Sequence, residues 1–164
     1  MAFDAYLKLD GVDGESTSKG MEKQIEIESF SWGVSNTATV GSQSGGISSG
    51  KADISAFTIV KAVDKASPNL MLACCDGSHL KTATVTFRKA TGSSGQKPFE
   101  ILKFTHCMVS SYQVAGVTGG NDTLRETVSF EFGKVDMEYY TQKSDGSTSK
   151  AGNTSWDRTI NAKG

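Results

Sequence analysis

The chain has 164 residues, 37% of them hydrophobic, and its 17 basic and 18 acidic residues give a formal net charge of −1. This length suits one domain with a sizeable core, so we predict a single domain over residues 1–164. The basic residues do not form a block, which argues against nucleic-acid binding. No apolar run approaches the roughly 20 residues of a membrane span, so no membrane insertion is expected.

The three cysteines, Cys74, Cys75 and Cys107, lack the spacing of a metal site. The first ten residues have neither the basic nor the apolar region of a secretory signal, so we expect synthesis in a reducing cytoplasm. We therefore interpret all three cysteines as buried thiols. A single disulfide from Cys107 to either of the other two remains open.

Alternating apolar and polar residues predict four half-buried strands, at residues 3–10, 54–63, 82–88 and 127–139. A further strand contains a change of face. Ile25 and Ile27 fall on one side of it, whereas Phe30 and Trp32 fall on the other. Because a one-residue slip moves every side chain across a sheet, we predict a bulge or a crossing between sheets near Ser29.

One short helix is predicted at residues 66–77. Ser67 is a suitable N-cap, Pro68 fits the first turn and Gly77 fits the left-handed position after the last turn. The apolar stripe predicted to pack on a sheet consists of Leu70, Met71, Cys74 and Cys75.

In residues 99–114, both the odd-numbered and the even-numbered positions contain apolar residues, so both faces of the predicted strand are apolar. This pattern is typical of a central strand or of a strand facing a neighbouring subunit. Residues 36–51 are rich in Gly, Ser and Thr and lack a core pattern, so we predict an extended loop. The Ser/Gly/Lys-rich residues 142–154 are also predicted to be a loop, after which Trp156 and Ile160 pack against the domain again. These elements together predict an all-β fold with one short helix, built as a two-sheet sandwich or a distorted barrel.

The sequence offers no catalytic, cofactor or metal site. Residues 45–51 match most of a phosphate-binding loop, but Ala52 stands where a Ser or Thr should follow, and a strand is predicted next instead of a helix. His106 and Cys107 are neighbours on a strand, so they point to opposite faces and cannot form a nucleophile–base pair. His79 has no partner at metal-ligand spacing.

Several short motifs carry a family resemblance. They are Glu15-Ser16, Ser31-Trp32-Gly33, Asp64-Lys65-Ala66-Ser67-Pro68-Asn69-Leu70, Phe87-Arg88-Lys89-Ala90, Glu126-Thr127-Val128-Ser129-Phe130 and Trp156-Asp157. In this order, over about residues 2–161, they resemble the haemolysin-coregulated protein (Hcp) family, which forms the inner tube of the bacterial type VI secretion machine. Such proteins are similar to phage tail-tube subunits, which have two packed sheets in a barrel-like arrangement, one flanking helix and an extended loop.

The resemblance implies hexameric rings that stack into a hollow tube, hold effector cargo in the lumen and are secreted from the cytoplasm with the spike, driven by the sheath. Sheet edges joined around a ring would also cover the open edges of a sandwich. We expect Ser29 and Ser31 to face the lumen, because Phe30 and Trp32 put Ser31 on the opposite side. A place for Ser31 within a crowded sheet stays open. Candidates for contacts between subunits or rings are Thr39, Val40, Gln43, Ile47 and Lys51.

Two other functions remain open at this point. A β-sandwich ligand-binding module would need a surface aromatic platform or a metal site. An effector enzyme on the same scaffold would need convergent titratable groups, and the sequence shows none. We also expect no appended effector domain, because only a few residues follow Trp156.

Overall fold

The computed structural model describes residues 2–40, 47–92, 95–120 and 123–164, with the backbone alone described at residues 40, 47 and 48. Ten strands and one helix follow one another within these residues. In chain order they are β1 (Phe3–Leu9), β2 (Ile25–Ile27), β3 (Ser29–Ser31), β4 (Val34–Val40), β5 (Ile47–Ile54), β6 (Phe57–Ala62), α1 (Ser67–Asp76), β7 (His79–Ala90), β8 (Gln96–Ala115), β9 (Arg125–Gln142) and β10 (Thr148–Asp157).

Eight strands form one antiparallel sheet in the order β2-β1-β7-β8-β9-β6-β3, with β10 on the second half of β9. Its two end strands, β2 and β3, are separated in the chain only by Glu28, whose amide also donates to the carbonyl of Val60 on β6. One segment therefore joins both ends of the sheet, and the sheet nearly closes into a barrel. The prediction of a barrel-like, mostly β fold with one short helix is confirmed.

The change of face predicted near Ser29 is confirmed at Glu28. Ile25 and Ile27 on β2 are buried and pair with β1, whereas β3 pairs with β6 and points Phe30 inward. The chain changes its partner strand at this bend, and the set of inward side chains changes with it.

The barrel interior is filled by aliphatic and aromatic side chains. Phe104 lies at its centre, with ring centroids 4.8 Å from Phe57 and 4.5 Å from Phe132. Trp32 meets the Phe104 ring edge-on at 6.1 Å. Contacts of this kind add to the stabilisation that the burial of apolar area provides, so the aromatic cluster contributes to the stability of the barrel in both ways.

The strand predicted to be apolar on both sets of residues is β8, and it is central, between β7 and β9. Even-numbered residues such as Phe104 are buried before His106, and odd-numbered residues such as Cys107 are buried after it. His106 itself has a left-handed φ of 56°. Gly133 lies opposite on β9, and a Cβ there would be 3.4 Å from the Cβ of His106. The double apolar pattern therefore arises in part from a rotation of the strand at His106.

The helix departs from two predictions. Ala66 occupies the N-cap without a side-chain hydrogen bond, and Ser67 instead lies inside the helix and accepts from the amide of Asp64 at 3.0 Å. Leu70 is buried as predicted, but Met71 is 47% exposed. The prediction of three buried thiols is confirmed for Cys107 and wrong for Cys75, which is exposed, and Cys74 is half-buried. The helix packs on the barrel through Ala66, Ser67, Leu70 and Ala73. The sequence was misleading because the apolar residues 70–72 are consecutive, and consecutive residues point to different sides of a helix.

The other end of α1 agrees with its prediction, because Gly77 is left-handed with φ 67°, and Pro68 lies in the first turn. All three cysteines fall within the described residues and are free.

The predicted loop at residues 142–154 was wrong, since β10 occupies most of it. β9 extends beyond its pairing with β6, and its free edge pairs with β10 through backbone hydrogen bonds that need no apolar pattern. Trp156 packs on the core as expected, whereas Ile160 is 66% exposed and does not.

Candidate functional site

Ser29 and Ser31 lie on the outer surface of the barrel. The Phe30 ring between them points inward and stacks near Phe57 and Phe87, at centroid distances of 6.1 and 4.6 Å. Because successive side chains on a strand alternate, both serines point away from the core, and both are exposed. The expected orientation of Ser31 relative to its aromatic neighbours is therefore present.

The outer side of the neighbouring strands continues this small polar surface. Ser31 pairs with Thr58 on β6, which pairs with Ser129 on β9, and their two hydroxyls are 2.9 Å apart. Ser110 on β8 donates to the carbonyl of Ser129 at 3.2 Å. We call Ser29, Ser31, Thr58, Ser110 and Ser129 the hydroxyl face.

The sequence interpretation identified only the two residues of the hydroxyl face on β3. Thr58 and Ser129 are among the polar residues that alternate with apolar ones in β6 and β9, so the sequence places them on the outer face. The sequence does not show that these strands lie next to β3, which follows from the sheet order. The face has no charge and no large side chain. It can therefore offer hydroxyl groups and little else to another molecule.

The predicted extended loop is a two-stranded hairpin, β4–β5. Thr39 pairs with Ser48, Val40 pairs with Ile47, and Lys51 lies farther along β5. Gln43 lies outside the described residues. The residues of β4 whose burial is described are all exposed, as are Thr39 and Lys51, so this part of the hairpin stands away from the barrel.

The base of the hairpin forms an apolar groove with the barrel. The groove has a volume of 310 Å³ and is lined by Trp32, Val34, Ala52, Ile54, Val135, Met137, Thr154, Ser155 and Trp156. Val34 is more than half exposed in it. The hairpin is therefore attached to the barrel through an apolar base, and the exposed residues of β4 farther out are paired with β5 through the backbone.

Cys107 and His106, the adjacent reactive side chains of the sequence, do not form a catalytic pair in the structure. Burial raises the pKa of the Cys107 thiol to about 11, which makes it a poor nucleophile near neutral pH, and His106 beside it is exposed. In the described part of the chain, no group of three or more His, Cys, Asp or Glu side chains could hold a metal ion. Lys51, at the end of the phosphate-loop-like motif, lies within a strand that continues to Ile54, as predicted.

Within residues 2–40, 47–92, 95–120 and 123–164, no helix is long and apolar enough to cross a membrane.

Known proteins that share this barrel place the chain in a class of secretion proteins. A family model described as "Type VI secretion system effector, Hcp" matches residues 6–139. Protein hcp1 of Pseudomonas aeruginosa is 37% identical over 146 residues, which cover 89% of this chain and 88% of that protein. The chain therefore belongs to the Hcp family of type VI secretion system proteins.

Solved structures agree with this assignment. The structure of a type six secretion system protein matches with a TM-score of 0.93 and 40% identity, covering 99% of this chain and all 100% of that one. The crystal structure of Hcp1 from Salmonella typhimurium matches with a TM-score of 0.78 and 30% identity, covering 99% of each chain. Hcp is a structural protein of this secretion system and not a known family of enzymes.

Proposed function

We propose that this protein is a subunit of the inner tube of the type VI secretion machine. Identical chains form a hexameric ring, and rings stack into a hollow tube that works with the spike and sheath proteins. The tube subunits leave the bacterial cytoplasm through the machine and reach the extracellular space or a target cell. Membership of the Hcp family supports this proposal at the level of the whole molecule.

The observation that carries the proposal is the contrast between the hydroxyl face and the hairpin. We expect a tube wall that admits cargo of varied sequence to present small, uncharged side chains, and the hydroxyl face has that composition. A subunit that joins its neighbours needs exposed elements beyond its own core, and β4–β5 is such an element. We therefore assign cargo contact to Ser29 and Ser31, and contact between subunits or rings to Thr39, Val40, Ile47 and Lys51, together with Gln43 from the sequence alone.

The test replaces Ser31 by Gln in the full chain. The purified wild-type protein should have a mass near six subunits by light scattering at micromolar concentration, and negative-stain images should show rings. Since Ser31 is exposed, the Gln variant should keep the rings and the stability, while secreted effectors that co-purify from the producing bacterium, measured by mass spectrometry, should decrease.

Thr141→Gln is the matched control, because Thr141 is also exposed on a strand but lies on β9 outside the hydroxyl face. It should change neither rings nor co-purified effectors. A monomer at every concentration would contradict the ring. Rings with undiminished effector retention in Ser31→Gln would contradict only the cargo assignment.

A further inference from the structure

A buried cluster of charged and polar side chains lies where α1 begins. Lys61 on β6 and Glu126 on β9 are direct neighbours across the sheet and are 0% and 1% exposed. The Lys61 ammonium donates to the Glu126 carboxylate and, at 2.9 Å, to the carboxylate of Asp64. Glu126 also accepts from the hydroxyls of Ser67 and Tyr112, from Ser67 at 2.8 Å. We call these five residues the Lys61 cluster.

The Lys61 cluster is complete in its hydrogen bonds. The Lys61 ammonium also donates to the carbonyl of Ala62 at 2.9 Å, with the Ser67 hydroxyl oxygen farther away at 3.4 Å, and both oxygens of Glu126 accept. Buried charges of opposite sign gain little net stability over apolar side chains of the same size, but removal of one partner leaves the other uncompensated. Such a cluster therefore fixes one arrangement of the elements that contribute to it more than it stabilises the whole fold.

The helix has few other attachments to the barrel. Leu70 is the one large side chain on its buried set, beside the small side chains of Ala66 and Ala73. Among the described residues, the side-chain hydrogen bonds between α1 and the strands all involve Ser67. At the other end, Asp76 bonds only with Ser78 in the adjoining turn.

We propose that α1 can open from the barrel on two hinges and that the Lys61 cluster holds it in the closed position. When the hydrogen bond from Ser67 to Glu126 breaks, residues 67–76 separate from the strands while the barrel stays paired. The hinges are the turn before Ser67 and the left-handed Gly77. The helix opens as one unit because its packing on the barrel consists of Leu70 and the small side chains of Ala66, Ala73 and Cys74.

The three free thiols provide a measurement of this opening. Cys75 is exposed, Cys74 is half-buried on the helix, and Cys107 is fully buried in the barrel. An alkylating reagent should therefore label Cys75 in all states, Cys74 slowly until the helix opens and faster afterwards, and Cys107 when the barrel opens. Peptide mapping by mass spectrometry gives the three rates separately on the full-length protein.

Ser67→Ala is the decisive variant, since it disconnects the helix from the strands and leaves the Lys61–Glu126 pair in place. We expect Cys74 to be labelled about tenfold faster, because a hydrogen bond to a charged group contributes more than a neutral one. The rates at Cys75 and Cys107 should stay within about twofold of the wild type.

Arg125→Gln is the matched control, because it breaks an exposed ion pair with Glu28 one residue from Glu126. It should leave all three rates unchanged. The double variant Lys61→Met/Glu126→Leu removes both members of the buried pair and leaves Asp64 accepting from the amide of Ala66, and it should also accelerate Cys74 alone. The proposal is overturned if Ser67→Ala leaves Cys74 unchanged, or if Cys74 and Cys107 accelerate together in the Ser67→Ala and double variants.

Discussion

The barrel and the β4–β5 hairpin are both antiparallel β-structure, yet they bury their side chains in opposite ways. Strands of the barrel bury alternate side chains, as β6 does with Phe57, Ile59 and Lys61. The hairpin exposes both of its faces wherever its burial is described, except near its base at Ile54. Backbone pairing alone defines the conformation of its far part, and an isolated two-stranded hairpin is only marginally stable in water.

The difference shows that one chain can divide stability and assembly between two regions. The barrel has its own core and needs no partner to bury it. The described residues of the hairpin are exposed except near Ile54, so contact with another molecule would add order and buried area there first. Changes in the barrel should therefore affect unfolding, and changes in the hairpin should affect association.

The largest effect is expected from Phe104→Ala in the barrel. Phe104 is 1% exposed and contacts aromatic rings on several strands, so its truncation should lower the free energy of unfolding by about 3–5 kcal/mol. Urea denaturation followed by tryptophan fluorescence measures the change. Thr39→Ala in the hairpin is the control and should stay within about 0.5 kcal/mol of the wild type. Equal losses in the two variants would remove the distinction between the regions.

A smaller effect is expected from alkaline pH, and it too belongs to the barrel. Burial, together with the hydrogen bond to Glu126, raises the pKa of Tyr112 to about 12, whereas an unfolded tyrosine has a pKa of about 10. Tyr112 is protonated in both states below pH 10, so its contribution is then complete. Between about pH 10 and 12 the unfolded chain ionises first, and that contribution to stability is lost.

The measurement compares wild type with Tyr112→Phe by urea denaturation from pH 8 to 11.5. The difference in unfolding free energy between the two proteins should decrease above pH 10. Residues 34–54 contain no tyrosine, so variants of the hairpin should show the wild-type pH dependence. Parallel curves for wild type and Tyr112→Phe would show that Tyr112 does not titrate differently in the folded barrel.

The smallest effect on unfolding is expected when the hairpin is shortened. Replacement of residues 36–51 by a Gly-Ser turn keeps the pairing of Ser35 with Asp53 and removes no side chain that is described as buried. The free energy of unfolding should change by less than about 0.5 kcal/mol, because surface changes usually have effects of that size. Light scattering should nevertheless show weaker ring formation or stacking. Unchanged assembly would identify the hairpin as a passive extension.

Much of the barrel could be predicted from the sequence because alternation in strands reports directly on burial. The change of face between Ile27 and Phe30 is an example, since it needs only the two sets of residues to be compared. β4, β5 and β10 could not be predicted in this way. Their side chains are small or polar on both faces, and the backbone hydrogen bonds that form them have no pattern of residue types.

Only the residues of the candidate site on β3 could be predicted from the alternation of side chains. Ser29 and Ser31 follow from the aromatic residues beside them, but Thr58 and Ser129 join them only through the order of the strands. The misassigned N-cap has a comparable cause. Ser67 satisfies the local rule for a cap, yet its hydroxyl donates to Glu126, 59 residues away in the chain.

The closure of the barrel by residues 25–31 has a consequence for the order in which the protein folds. β7, β8, β9 and β10 are consecutive strands that pair with their neighbours in the chain, so they can assemble through local hairpins. β1 pairs with β7, and Tyr6 must meet Thr86 across about 80 residues. The first 60 residues leave the ribosome before these partners exist. Their apolar residues, Ile25 and Phe57 among them, then remain unprotected until the second half of the chain has been made, and this is the interval in which chaperones have most to contribute.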